Sequence, residues 1–166
     1  MKALKNEVLQ ELLRCMDSEI SIMEQLSDHL SYKMRELMER NLESANSTDR
    51  SIEESLLHLQ KAETEREKMV QKLAEILGHS GRAKASDLLQ YLPAQDRDEL
   101  MLRIARMLRA TSELQILKKG LEEMLKFEIA YSSTMMQLIH GEESPVTYDR
   151  TGNDRGVGEV RRSWSG

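Results

Sequence analysis

The chain is poor in the residues that usually interrupt or cross-link a fold. Its 166 residues include one cysteine, two prolines and 4% aromatic residues. Cys15 has no second cysteine to pair with, so an internal disulfide is excluded and nothing indicates an oxidising compartment. The scarcity of aromatics, with 32% charged residues, is typical of long helices that bury a narrow apolar stripe.

Basic blocks and long apolar runs are also missing. The net charge is −5, and acidic and basic residues alternate along the chain, so a nucleic-acid partner is not expected. Apolar runs last only a few residues, which predicts no membrane insertion. The segment Met1–Glu7 becomes charged too early for a secretory signal. We therefore expect a cytoplasmic protein.

Apolar residues in steps of three and four from Leu9 to Leu37 predict a first long helix over about 3–43 that packs as in a coiled coil. The stretch Ser44–Asp49 predicts a break, after which Thr48, Asp49 or a capping box of Ser51 and Glu54 would start a second helix over about 50–77. The polar middle of that helix, 61–68, is expected to be solvated.

Gly78 is well placed to end the second helix, and a short helix is expected over about 85–92. Pro93 and the capping spacing of Asp96 and Glu99 predict a third long helix over about 96–140. The predicted fold is all-α: an elongated antiparallel three-long-helix coiled-coil bundle with a short extra helix. The bundle would span 1–141, and 142–166 would form a flexible tail.

No pattern of catalytic or metal-binding residues is present. The four histidines are isolated, and none has a glutamate three residues before it, as a di-iron bundle site would require. Phosphate-binding glycine loops and zinc-ligand pairs are missing as well. Cys15 lies beside a core position, which favours an unreactive thiol. We predict no enzymatic activity, no cofactor and no metal.

The third long helix carries more apolar residues than one buried stripe requires. They are Leu114, Ile116, Leu117, Leu121, Met124, Leu125, Phe127, Ile129 and Tyr131. A helix that is apolar on several sides implies a further surface to be covered, by a second copy or by a client. Gly120, within this region, fits either a close helix approach or a tolerated surface position.

The tail contains Thr147-Tyr148, separated by three residues from Gly152, and the second helix contains the pattern Leu-x-x-Ala-Glu-x-x-Arg from Leu59 to Arg66. With the order of the helices, these features resemble the FlgN-like flagellar export chaperones. The chain lacks the asparagine pair that many of those proteins carry in the third helix.

The resemblance implies a chaperone that binds the C-terminal helical segments of hook-filament junction proteins and delivers them to the flagellar type III export gate. It implies that client contacts lie in the later third helix and the tail. The predicted partner-binding residues are Leu114, Leu117, Leu121, Met124, Phe127, Tyr131, Tyr148, Gly152 and Trp164.

Two other functions stay open at this point. The surplus apolar side of the third helix could form a homodimer, in which case the chain would be a structural coiled-coil protein. A chaperone or adaptor of another secretion system would share the same helical design. The sequence alone leaves the identity of the client and the oligomeric state undetermined.

Overall fold

The structure, a computed structural model, describes residues 2–140. Its elements are α1 (Lys2–Met38), α2 (Leu42–Ser47), α3 (Asp49–Ile76), a 3₁₀ helix η1 (Ala85–Tyr91) and α4 (Ala94–His140). Residues 2–140 contain no strand. The predicted all-α class, with long helices that pack against one another, is therefore confirmed. The predicted tail, 142–166, lies outside the described residues.

The chain divides into two compact units, Met1–Leu121 and Glu122–Gly166, and the boundary falls within α4. The core of the first unit joins α1 to α3, η1 and the start of α4, because each contributes one apolar stripe. Its buried residues are Val8, Leu9, Leu12, Leu13, Met16, Val70, Leu73, Ala74, Leu88, Leu92 and Leu100.

Two ion pairs show that α1 and α3 run antiparallel. Arg66 of α3 donates from Nε to Glu19 Oε2 of α1 at 2.6 Å, and Lys33, further along α1, pairs with Asp49 at the start of α3. Glu19 and Lys33 are buried although both are charged. The antiparallel register therefore places a charge partner opposite each of these buried charges.

Contacts within the first unit show that α4 runs parallel to α1. Arg103 Nε lies 3.1 Å from Asp17 Oδ1, and Thr111 Oγ1 lies 3.9 Å from Met23 Sδ. Residue numbers rise together along both helices, so α1, α3 and α4 have the predicted up-down-up order.

The connection from α1 to α3 differs from the prediction. α1 ends at Met38, five residues before the expected end, because Arg40 adopts a left-handed conformation with φ 61°. The Asn41 N–H donates to Glu36 O at 2.8 Å, which closes the last turn of α1. Asn41 then caps the six-residue α2 by accepting from the Ser44 N–H at 3.3 Å.

The capping box predicted from Ser51 and Glu54 is wrong, whereas Thr48, one of the two other predicted caps, does occupy the N-cap position of α3. α3 already begins at Asp49, so Ser51 and Glu54 lie inside it. Thr48 occupies the N-cap position, but its hydroxyl donates backwards to Ala45 O at 2.7 Å. It therefore terminates α2 and gives no side-chain cap to α3.

The other end of the bundle follows the sequence more closely. Gly78 has φ 75°, and the following His79 N–H donates to Ala74 O at 2.9 Å, as expected for a glycine that ends a helix. The short element is a 3₁₀ helix, from which Leu88 inserts fully into the core. α4 starts at Ala94, so Asp96 lies in its first turn and the predicted cap at Asp96 is wrong.

Candidate partner-binding surface

The predicted partner-binding residues of the first unit are only partly exposed, so only part of each side chain could contact a partner. Leu114, Leu117 and Leu121 are half-buried on α4. They share that part of the helix with Gly120, where an added Cβ would lie 2.9 Å from Met34 Cε of α1. The space beside Gly120 is therefore occupied by the end of the Met34 side chain, so Gly120 is not an open surface position. These leucines therefore contribute to packing within the first unit.

The second unit presents the most exposed apolar side chains of the predicted set. Met124 is half-buried, whereas Phe127 is 62% exposed, and its ring stacks on Tyr131 with centroids 6.1 Å apart and planes at 29°. Phe127 and Tyr131 are one helical turn apart, so their side chains lie on the same side of α4. They form a stacked aromatic pair on the surface.

Six further apolar side chains of the second unit are exposed, and the predicted set omits them. Together with Phe127 and Tyr131 they form what we call the C-terminal apolar face: Leu125, Phe127, Ile129, Tyr131, Met135, Met136, Leu138 and Ile139. At roughly 100° per residue these positions cover about 200° of the helix circumference. The signal for them was present, because apolar residues here exceed any single stripe of period 3.6.

Acidic residues predominate among the charged side chains of this segment. Residues 122–140 contain Glu122, Glu123 and Glu128 against Lys126, so three negative charges and one positive charge give a net −2 with His140 neutral. Ile129, Leu138 and Ile139 are 71–72% exposed. Contiguous exposed apolar surface of this kind commonly marks a site of interaction.

The remaining predicted site residues, Tyr148, Gly152 and Trp164, lie outside the described residues. Their assignment to partner binding stays a prediction.

A second surface lies along α1 and α3, where an open groove of about 490 Å³ is lined by residues that include Cys15, Ser18, Ile22 and Ala62. Burial raises the pKa of the Cys15 thiol, and the nearby carboxylates, Glu11 first, raise it further. The thiol is therefore held protonated, which makes it a poor nucleophile. Within residues 2–140 no group of three His, Cys, Asp or Glu side chains is placed to hold a metal ion.

The described residues thus form long packed helices and an exposed apolar face. The model of the FlgN family, described as FlgN protein, matches residues 1–156. That match covers nearly the whole chain, including Thr147–Gly152, so the chain belongs to the FlgN family. No curated protein and no solved structure shows significant similarity to it.

FlgN proteins are flagellar export chaperones that bind flagellar proteins, and the family is not one of enzymes. The chain therefore has a general role in flagellum biogenesis as a chaperone. Among the described residues no helix has the length and apolar character needed to span a membrane.

Proposed function

We propose that the chain binds the C-terminal helical segments of hook-filament junction proteins in the cytoplasm and delivers them to the flagellar type III export gate. The observation that carries this proposal is the C-terminal apolar face, together with membership of the FlgN family. An amphipathic client helix would cover one side of this face, such as Ile129, Met136 and Ile139, and would hide its own apolar side. Binding would thus prevent premature self-association of the client.

Hydrophobic burial supplies enough free energy for such binding. Burying a large apolar side chain contributes about 1.5–3 kcal/mol relative to leaving it exposed. Ile129, Leu138 and Ile139 are each more than two-thirds exposed, so most of that free energy is still available at these positions. Losing one such contact is expected to weaken client binding about tenfold.

A calorimetric titration with client segments tests this proposal. Ile129→Ser is expected to weaken binding about tenfold, with helicity by circular dichroism unchanged. Leu57→Ser on α3 is the matched control, because Leu57 is 66% exposed and lies in the other unit. Equal binding by the two variants would contradict a client site on the C-terminal apolar face.

The half-buried pair Leu121 and Met124 is less suited to this test, because polar replacements there would also disturb packing. The contribution of Tyr148 and Gly152 is tested separately with a chain ending at Gly141. We expect weaker client binding or weaker binding to the export gate on truncation. Unchanged binding to both would remove the tail from the site.

Self-association is the alternative use of the same apolar face. It predicts a molecular mass that rises with protein concentration in sedimentation equilibrium, and a return to the monomer mass in Ile129→Ser. A monomer at all concentrations would exclude this structural role and leave the face available to a client.

A further inference from the structure

A cavity of about 760 Å³ lies in the first unit between α3 and the segment that leads into η1. It differs from an apolar void in the core, because its walls carry polar and charged side chains. From α3 come Thr64, Arg66, Glu67, Lys68, Val70 and Gln71, and from the other side come Arg82, Ala83, Lys84, Ala85 and Asp87. Neither the family assignment nor the client-binding proposal uses this site.

The wall opposite α3 is held in place by hydrogen bonds at both ends. Gly81 has φ 83°, and the segment that follows is held by the side chain of Gln71, which donates to Gly81 O at 3.4 Å and accepts from the Ala83 N–H at 3.5 Å. Lys84 is extended, with φ −98° and ψ 159°, and its N–H donates to Asp87 Oδ2 at 2.8 Å. The backbone of this wall is thus anchored at both ends.

Exposed and half-buried residues alternate along this wall, since Arg82 and Lys84 are exposed whereas Ala83 is half-buried. The two exposed cations are therefore separated by a single residue. Residues two apart on an extended chain are separated by about 6.6 Å. The carboxylates of an extended peptide with acidic residues at alternate positions have the same spacing.

The cations of this cavity are not neutralised by the protein itself. Among the described residues, no carboxylate forms an ion pair with Lys68, Arg82 or Lys84, in contrast to Arg66, which is paired with Glu19. Of the two acids in the wall, Asp87 already accepts the backbone N–H of Lys84. The cavity therefore presents three unpaired cations in a chain whose net charge is −5.

We propose that this cavity binds an extended acidic segment of a protein partner, with its carboxylates on Arg82, Lys84 and Lys68. A single phosphate ion fits less well for two reasons. The cavity measures about 760 Å³ and is partly open to solvent, so one small anion would contact only part of its lining. Glu67 in the wall would also repel a compact dianion more than a chain with spaced charges.

The test measures binding of a fluorescent peptide of alternating Glu and Ala to the full chain by anisotropy at low salt. The double variant Arg82→Gln/Lys84→Gln is compared with Lys2→Gln/Lys5→Gln, which removes the same charge from the start of α1. We expect the first variant to weaken binding about tenfold and the second to leave it unchanged. Circular dichroism of both variants establishes that they are folded.

Three outcomes would overturn the proposal. They are no saturable binding by the parent chain, equal weakening by the two double variants, and displacement of the peptide by inorganic phosphate but not by NaCl of equal ionic strength. The last result would indicate a site for a free anion. None of them depends on whether a hook-filament junction protein binds the C-terminal apolar face.

Discussion

Neutralising Arg66 should destabilise the first unit much more than neutralising its partner, Glu19. Glu19 is 2% exposed, whereas the Arg66 side chain is 21% exposed. In Arg66→Gln a buried carboxylate loses its charged donor at 2.6 Å. In Glu19→Gln the buried charge disappears, an amide oxygen can still accept from Arg66 Nε, and water can still reach the guanidinium.

The expected magnitudes follow from this difference in burial. Removing one partner of a buried ion pair costs about 3–5 kcal/mol. Because loss of the Arg66 side chain would let water approach Glu19, we expect a cost at or just below the lower limit of that range, about 2–3 kcal/mol, for Arg66→Gln. Glu19→Gln should change the free energy of unfolding by less than about 1 kcal/mol.

The pH dependence of this difference has a defined sign. Burial raises the pKa of Glu19 above its ordinary value of 4.5; the Arg66 guanidinium lowers it, and Glu63 and Glu67 raise it further. The net pKa is raised, so the folded state keeps the proton longer than the unfolded state. The contribution of Glu19 to the free energy of unfolding is then largest below the pKa that Glu19 has in the unfolded chain. It decreases as the pH rises through the pKa that Glu19 has in the folded chain. Arg66→Gln should therefore cost less at about pH 4 than at about pH 7.

Urea denaturation followed by circular dichroism measures these values on the full chain. Arg50→Gln is the control, because Arg50 and Glu54 form a pair whose side chains are 88% and 58% exposed, and it should cost less than about 0.5 kcal/mol. The double variant Glu19→Gln/Arg66→Gln should recover most of the loss. The reasoning is refuted if Arg66→Gln costs no more than Arg50→Gln, or if Glu19→Gln costs as much as Arg66→Gln.

Two further predictions concern packing. Leu73 is fully buried, so Leu73→Ala should lower the free energy of unfolding by about 3 kcal/mol, whereas Leu57→Ala at an exposed site should change it by less than about 0.5 kcal/mol. Similar values from denaturation would contradict the assigned core. Gly120→Ala should raise the melting temperature slightly, because about 1 kcal/mol of helix propensity outweighs a shift of the flexible Met34 Cε. Gly120→Val should lower it, and a lower melting temperature for the alanine variant would show that Met34 cannot move.

The sequence predicted the long helices well because their packing follows a local period. Most of the stripe from Leu9 to Leu37 is buried, and Gly78 ends a helix where its left-handed conformation is needed. The end of α1 was missed for a physical reason. Arg40 adopts positive φ without being a glycine, so no residue type marked the break after Met38.

The sequence predicts that the polar residues 61–68 are solvated. For Arg66 that prediction is wrong. Arg66 is half-buried on Glu19, which lies 47 residues earlier. A helical period identifies apolar faces, but it does not reveal a charged residue that is buried because its partner comes from a distant helix.

The sequence indicated which part of the chain carries an exposed apolar surface, but not which residues belong to that surface. The excess of apolar residues in the third long helix pointed to an uncovered surface, and Phe127 is indeed exposed. The sequence could not separate the half-buried Leu114 and Leu117 from the exposed Ile129 and Leu138, because all four are similar apolar residues. That distinction depends on which parts of α4 are packed against other helices.

Hydrogen–deuterium exchange of the full chain, with and without the C-terminal helical segment of a hook-filament junction protein, tests the central claim most directly. A client helix on the C-terminal apolar face should slow amide exchange mainly within residues 122–140. Unchanged exchange there, or protection confined to the groove beside Cys15, would contradict the account.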